Sequence, residues 1–167
     1  MNSIIRLFTD GSANNKSKKI GGIGVYYPND NIKNISEKII KTEKINITNQ
    51  TMELLAAIKG LNKLIENIYI ADKKIELYTD SKYLINCIEK WFEKWEKNNW
   101  KGSNGKSIKN LYLIKKLYYY SKNMNVNFKW VNAHQKEPNI NKNSDEYKKW
   151  YGNNQADMLA QNARNKN

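Results

Sequence analysis

The stretch Ile4-Ile5-Arg6-Leu7-Phe8-Thr9-Asp10-Gly11-Ser12 begins as an apolar run and ends in a turn sequence. This pattern predicts a buried strand over residues 4–9 with Asp10 just beyond its end. The stretch Ile75-Glu76-Leu77-Tyr78-Thr79-Asp80-Ser81 repeats the arrangement, so Asp80 follows a second strand. A single aspartate after a strand is usually a turn or helix cap, but the repeated Thr-Asp context favours a functional pair. In parallel strands both would lie at the carboxyl edge of one sheet.

The remaining elements complete a mixed pattern of strands and helices. Residues 21–27 and 32–40 predict two more strands joined by a hairpin turn at residues 28–31. Helices are predicted after the capping residues 48–51 and over residues 83–95, 108–120 and 153–164, and a last strand over residues 126–131. The order β-β-β-α-β-α-α-β-α predicts an α/β fold with a mixed five-stranded sheet flanked by helices.

Length and charge favour one domain with a polyanionic partner. The 167 residues match one domain, which we expect to span residues 1–167. The net charge is +13, and Arg6 and Arg164 are the only arginines. A coding bias toward Lys, Asn and Ile explains part of the lysine excess, but not its clustering. From Lys82 to Lys122 there are ten lysines against three glutamates, a local charge of +7. Nucleic acid is therefore the expected partner.

Several protein classes are excluded. The only cysteine is Cys87, which rules out a disulfide framework and a multi-cysteine zinc site. No apolar run approaches the ~20 residues of a membrane span, and the first residues carry no secretory pattern. We therefore expect a cytoplasmic protein.

Two further acids lie in predicted helices. Glu53 is placed in the first turn of the first helix and Asp157 in an early turn of the last one. Each alone is explained by the favourable field at a helix N-terminus. If both helices begin near Asp10 and Asp80, however, four carboxylates converge, and their repulsion requires a cation. Oxygen ligands suit Mg²⁺ or Mn²⁺, and such a cage suits two ions ~3.5–4 Å apart.

Five segments together resemble type 1 ribonuclease H, in that family's order and over essentially the whole chain. They are Phe-Thr-Asp-Gly-Ser at 8–12, Thr-Met-Glu-Leu-Leu-Ala-Ala-Ile at 51–58, Tyr-Thr-Asp-Ser at 78–81, Trp-Val-Asn-Ala-His at 130–134, and Gly-Asn-Asn-Gln-Ala-Asp-Met-Leu-Ala at 152–160. The resemblance implies the ribonuclease H fold. It also implies an endonuclease that hydrolyses the RNA strand of RNA–DNA hybrids with two Mg²⁺ ions, Mn²⁺ being a possible substitute. The products would carry 5′-phosphate and 3′-hydroxyl ends.

The resemblance assigns roles to five residues. Asp10 and Asp80 would bind the metals most directly, and Glu53 would hold one metal and sense the 2′-hydroxyl. Asp157 would complete the water-activating site. His134 would move protons and assist product release, whereas without the resemblance a partly buried, hydrogen-bonded histidine is the simpler interpretation.

Further positions match the family's substrate contacts, and no obligate protein partner is implied, so a monomer is expected. A basic protrusion over about residues 90–109 would contact the DNA strand, although its tryptophans also suit a packed core. The expected asparagine of the first loop is either Asn14 or Asn15. The predicted substrate-binding residues are Gly11, Ser12, Asn15, Thr48, Asn49, Gln50, Trp91, Lys94, Lys97, Trp100 and Lys101.

The chain departs from the familiar bacterial pattern in three places. The loop over residues 13–19 carries three lysines, and no separate N-terminal hybrid-binding domain is expected. The segment following His134 is extended over about residues 135–152. Residues 143–152 predict a short helix that begins at a cap and ends at Gly152.

The aromatic face of that short helix, Tyr147, Trp150 and Tyr151, has two interpretations. It docks on the domain's own surface and anchors the His134 loop, or it contacts the hybrid. Two alternatives to a hybrid endonuclease also stay open on the same fold. One is a catalytically silent nucleic-acid-binding protein, and the other is a nuclease for DNA or double-stranded RNA.

Overall fold

A computed structural model describes residues 3–14, 16–29 and 31–166. Within these ranges the strands are β1 (Ile4–Ala13), β2 (Ile20–Tyr26), β3 (Ile35–Ile40), β4 (Lys74–Thr79) and β5 (Val126–Trp130). They form one sheet in the order β3-β2-β1-β4-β5. β1 is antiparallel to β2 and parallel to β4, and β4 is parallel to β5. The predicted mixed five-stranded sheet is therefore confirmed.

Strand β1 extends beyond the predicted end at Thr9. Its parallel pairing with β4 ends at Phe8, but residues 10–13 continue to pair with residues 24–21 of β2. The turn signal Asp-Gly-Ser is overridden because β2 offers an uninterrupted ladder on the other side. Asp10 thus lies inside β1, at the point where β4 stops pairing.

The helices are α1 (Asn49–Asn67), α2 (Lys82–Asn86), α3 (Phe92–Lys97), α4 (Leu111–Asn123) and α5 (Asp145–Asn165), and a π-helical turn, Cys87–Trp91, joins α2 to α3. The Thr48 side chain caps α1 by accepting a hydrogen bond from the Thr51 amide. Helix α4 begins three residues later than predicted, after Asn110, whose φ of 59° is left-handed. None of the described helices is both long and apolar enough to cross a bilayer.

Two apolar layers cover the two faces of the sheet. One contains Leu7 of β1 with Leu54 and Leu61 of α1, all fully buried. The other contains Phe8 with Ala156 of α5. Each buried leucine stabilises the fold by roughly 1.5–3 kcal/mol. Ile65, near the end of α1, is 47% exposed.

Helix α5 corrects the prediction of two helices separated at Gly152. It is continuous from Asp145, and Ser144 caps it by accepting a hydrogen bond from the Tyr147 amide at 3.2 Å. Gly152 is buried inside the helix, where a Cβ atom would lie 2.5 Å from the ring of Phe8. The glycine therefore permits close helix–strand packing and does not end the helix.

The turn between β2 and β3 is longer than predicted. The predicted strand over residues 32–40 begins only at Ile35. Asn34 closes the turn, since its Oδ1 accepts a hydrogen bond from the Tyr27 amide at 2.9 Å. Asp30, within the predicted hairpin turn, lies outside the described residues.

Candidate active site

Asp10 and Glu53 are brought together by direct contact between β1 and α1. A Cβ atom on Gly11 would overlap the backbone of Met52 and Glu53, so only glycine allows this approach. The start of α1 is also tied to the end of β1, because Asn49 Oδ1 accepts a hydrogen bond from the Ala13 amide at 2.9 Å. Both carboxyl groups are consequently buried, with Asp10 5% and Glu53 8% exposed.

Asp80 joins this pair from the end of β4. One carboxylate oxygen from each of Asp10, Glu53 and Asp80 lies within 4.8 Å of the others. The adjacent Ser81 caps α2 by accepting a hydrogen bond from the Leu84 amide at 3.2 Å. Asn153 of α5 lies on the other side, with Nδ2 3.5 Å from Asp80 Oδ2. The parallel pairing of β1 and β4 therefore gives the carboxylate cluster that the repeated Thr-Asp motif predicts.

The pKa values of the three carboxyl groups are raised, as expected for acids crowded together away from water. Burial raises the pKa of Asp10 well above its usual value, and the charge of Glu53 adds to this. Burial likewise raises the pKa of Glu53 to about 8, while hydrogen bonds from Asp10 and Gly11 oppose the shift. Burial also raises the pKa of Asp80. In the absence of a cation the cluster favours protonated forms.

The cluster has the properties of a divalent cation site. Glu53 Oε2 is buried and makes no hydrogen bond within the described part of the chain. A buried acceptor without a partner is costly unless a cation or donor satisfies it. The three ligands are all hard carboxylate oxygens, which Mg²⁺ and Mn²⁺ prefer. The residues therefore fit the predicted divalent metal.

Asp157 lies beside the three-carboxylate cluster rather than within it. Both of its carboxylate oxygens accept hydrogen bonds from Gln161 Nε2 at 2.9 Å. Its charge nevertheless contributes to the raised pKa values of Glu53 and Asp80.

Neither Glu53 nor Asp157 lies in the first turn of its helix, so the field at a helix N-terminus does not explain them. Asp157 lies in the middle of α5 because that helix begins at Asp145. Glu53 lies in the second turn of α1 rather than in the first. Gln161 was missed from the sequence, although its spacing of four residues from Asp157 is the signal of a same-face helical contact.

His134 faces Asp157 from a loop. Its Nδ1 lies 3.9 Å from Asp157 Oδ2, and its side chain is 75% exposed. Its backbone adopts a left-handed conformation with φ of 50°. The partly buried interpretation is therefore wrong, and an exposed imidazole stands beside the acidic cluster.

The loop after His134 is held by the first turns of α5. Trp150 Nε1 donates a hydrogen bond to the Gln135 carbonyl at 2.9 Å, and the Tyr147 hydroxyl donates one to Glu137 Oε1 at 2.7 Å. Tyr151 packs edge-on against Tyr26 with ring centroids 5.7 Å apart. These contacts agree with the first interpretation of the aromatic face, in which it docks on the domain's own surface.

A groove beside α3 brings together four of the predicted substrate-binding residues. Its walls include Gln50 at the start of α1, together with Trp91, Lys94 and Lys101. Lys97 and Trp100 were predicted to join them but do not line this groove. The Trp100 ring packs against Phe92, with centroids 5.2 Å apart.

The other predicted substrate-binding residues lie around the end of β1 and the start of α1. The Ser12 hydroxyl accepts a hydrogen bond from Arg164 Nη1 at 2.8 Å. Thr48 and Asn49 make the cap and strand contacts given above, and Gly11 makes the backbone contact with α1. Asn15 lies outside the described residues. Its alternative, Asn14, accepts a hydrogen bond from the Lys16 amide at 2.9 Å.

Both arginines serve internal contacts, so the exposed positive charge is carried by lysine. Arg6 pairs with Glu76 at 2.9 Å and with Asp145 at 2.7 Å. Arg164 binds the end of β1 through Ser12 and the Ala13 carbonyl. Phosphate contacts on this protein are therefore expected to be point-charge contacts made by lysine.

Comparison with known proteins agrees with the resemblance that the sequence motifs show. The family model of RNase H matches residues 2–165. The ribonuclease H of Ruthia magnifica is 34% identical over 166 residues, which covers 99% of this chain and 98% of that protein. A probable ribonuclease H of Acanthamoeba polyphaga mimivirus is 36% identical over 114 residues, which covers 68% of this chain but only 48% of that protein.

The fold is also found among solved structures. The foamy viral protease–reverse transcriptase in complex with an RNA/DNA hybrid matches with a TM-score of 0.68 at 18% identity. The match covers 96% of this chain and 20% of that one. At this identity the likeness concerns the fold alone.

Proposed function

This chain belongs to the ribonuclease H family, and we propose that it is a metal-dependent endonuclease that hydrolyses the RNA strand of RNA–DNA hybrids. The observation that carries the proposal is the buried cluster of Asp10, Glu53 and Asp80, in which one Glu53 oxygen has no hydrogen-bond partner among the described residues. The similarity to the ribonuclease H of Ruthia magnifica over nearly the whole chain supports the same class of substrate.

Asp10, Glu53 and Asp80 would hold the divalent ions. The charge of Asp157 would complete the water-activating site. Two Mg²⁺ ions, or Mn²⁺ in their place, would supply an activated water and stabilise the leaving oxygen of a phosphodiester. The three carboxyl groups would lose their protons on metal binding, because a divalent charge reverses the effect of burial on their pKa values.

The remaining residues would position the ribose and move protons. Glu53 and the backbone at Gly11 lie side by side. Together they would contact the 2′-hydroxyl of the ribose, the group that distinguishes RNA from DNA. Water attacks the phosphorus and the bond to the 3′ oxygen breaks, which leaves a 5′-phosphate and a 3′-hydroxyl. His134, exposed beside Asp157, would accept or deliver a proton during this exchange and assist product departure.

The groove of Gln50, Trp91, Lys94 and Lys101 would bind the DNA strand of the hybrid. We further infer that residues 1–167 act as one catalytic domain, because the described strands form one sheet, and that the protein is a monomer. The protrusion over about residues 90–109 and the extended segment over about residues 135–152, which continues into the start of α5, would be its two accessory parts. Buried Cys87 fits a reducing cytoplasm.

Cleavage of three matched duplexes tests this function. A hybrid, a DNA duplex and an RNA duplex of one sequence are incubated with the full chain and Mg²⁺, and in parallel with EDTA. We expect cleavage of the RNA strand in the hybrid alone, and only with metal. Binding without cleavage would favour the silent binding protein, and cleavage of either other duplex would favour a different nuclease.

A further inference from the structure

The outer face of α4 combines exposed tyrosines with lysines. The helical period places six residues within one arc of this helix, which we call the tyrosine–lysine face: Tyr112, Lys115, Lys116, Tyr119, Lys122 and Asn123. Tyr112 is 70% and Tyr119 51% exposed. The opposite side of α4 is buried in the core through Leu113, Ile114 and Leu117. The core therefore fixes the direction in which this face points.

Aromatic rings hold the three lysines of this face without neutralising their charge. Lys115 Nζ lies 3.8 Å from the centroid of the Trp100 ring. Lys116 lies 5.8 Å from Tyr120, and Lys122 lies 5.2 Å from Tyr118. A ring face attracts an ammonium group but leaves its full positive charge available to a third partner.

The surrounding sequence supplies no acid that could cancel these charges locally. Residues 97–136 contain no aspartate or glutamate. In the described part of the chain, these three lysines form no ion pair, whereas Lys59 pairs with Glu37 and Lys149 with Asp145. The tyrosine–lysine face is therefore a positively charged surface with two accessible rings.

We propose that the tyrosine–lysine face binds single-stranded nucleic acid. Unpaired bases can stack on exposed rings while lysines contact the phosphates, whereas a duplex hides the faces of its bases. Tyr112 and Tyr119 lie two turns apart, about 10 Å along the helix axis, which spaces two stacking positions along one strand. None of the six residues of this face lines the groove of Lys94 and Lys101, and its binding requires no metal. It goes beyond hybrid cleavage and does not depend on it.

The test measures binding of a labelled DNA strand of about 12 nucleotides to the full chain in EDTA, by fluorescence anisotropy. Tyr112→Ala/Tyr119→Ala should weaken binding at least about thirtyfold, because stacking on two rings is lost. Tyr112→Phe/Tyr119→Phe should bind as the wild type does, since the rings remain. If the double alanine variant does not fold, Tyr112→Ala alone should weaken binding at least about fivefold.

Two triple variants that remove the same charge distinguish binding at this face from binding that depends only on the net positive charge of the protein. Lys115→Gln/Lys116→Gln/Lys122→Gln should weaken single-strand binding more than Lys33→Gln/Lys41→Gln/Lys44→Gln, which removes three exposed lysines near the opposite edge of the sheet. Equal losses in the two triple variants would overturn the proposal, as would wild-type binding by Tyr112→Ala/Tyr119→Ala. Phenylalanine variants as weak as the alanine variants would also overturn it. Cleavage of a blunt hybrid is followed separately, so failure here leaves the proposed nuclease activity intact.

Discussion

The backbone of Glu53 in α1 lies directly against Gly11 in β1, one residue after Asp10. This contact brings a strand carboxylate and a helix carboxylate into one cluster. The cluster therefore depends on the absence of a side chain at residue 11 as much as on the acids themselves.

Gly11→Ala should damage both stability and metal binding. The added methyl group meets backbone atoms, which cannot rotate away, so α1 must move off β1 and separate Glu53 from Asp10. We expect a loss of about 1–3 kcal/mol in the free energy of unfolding and weaker Mg²⁺ binding by calorimetry. Gly102→Ala is the control for stability, because its Cβ would come closest to the side chain of Asn104, at 3.1 Å, and its nearest backbone neighbour, the Lys106 carbonyl oxygen, would lie at an ordinary contact distance of 3.6 Å. An unchanged melting temperature and Mg²⁺ affinity in Gly11→Ala would contradict this account.

The stability of the metal-free protein should fall as the pH rises from about 5 to about 8. Over this range folded Asp10 and Glu53 retain protons that the unfolded chain has already released, because their pKa values are raised in the fold. Lys149 and Arg6 lower the pKa of Asp145. This residue therefore makes stability rise with pH, but only below about pH 4. Thermal melts in EDTA across this pH range measure the effect.

Mg²⁺ should raise the melting temperature more at pH 8 than at pH 5.5, because protons compete with the metal at the lower pH. Glu53→Gln should flatten the pH dependence of the metal-free protein. A pH-independent stability in EDTA, or equal stabilisation by Mg²⁺ at both pH values, would count against the shared buried site.

The groove lysines should contribute affinity rather than chemistry. Lys94→Ala/Lys101→Ala should raise KM and reduce the log–log salt dependence of hybrid binding by up to ~0.9 for each lost phosphate contact. The single-turnover rate at saturating enzyme should change little. Lys97→Ala, compared with the single variants Lys94→Ala and Lys101→Ala, is the control, since Lys97 lies outside the groove formed by the described residues. A collapse of the single-turnover rate at constant KM would show that the groove has another role.

Trp150 should act through the loop that carries His134. Trp150→Phe keeps an aromatic ring but removes the donor to the Gln135 carbonyl, so it should cost about 1 kcal/mol of stability and lower kcat at nearly constant KM. Trp150→Ala should lower the melting temperature further. His134→Ala sets the limit for the loss in kcat. A large increase in KM with unchanged stability would instead favour direct contact between this aromatic face and the hybrid.

The strand positions of the site could be predicted because they follow from local patterns. Asp10 and Asp80 each close a short apolar run in the same context, and parallel neighbouring strands place such residues together. The positions of Glu53 and Asp157 were harder to predict from the sequence. The helical turn in which each acid lies depends on the residue at which its helix begins. Helix α5 begins at Asp145, well before the predicted residue 153, so Asp157 lies in its middle.

Long-range packing explains the remaining differences. Gly152 has the local properties of a helix end, but the nearby Phe8 ring requires a residue without a side chain inside a continuous helix. Asp10 remains in β1 because β2 pairs with it, a partner that the turn sequence at Asp10 does not reveal. Contacts between distant segments decide both positions.

The most direct test of the account is cleavage of a labelled hybrid by Asp10→Asn, compared with the wild type at saturating enzyme and Mg²⁺. We predict that single-turnover cleavage falls at least about a hundredfold, because one ligand of the metal cluster is lost. Hybrid binding measured on the same samples should be unchanged or slightly tighter, since the substitution removes a negative charge near the phosphates. Full activity in Asp10→Asn, or undiminished wild-type activity in EDTA, would contradict the account.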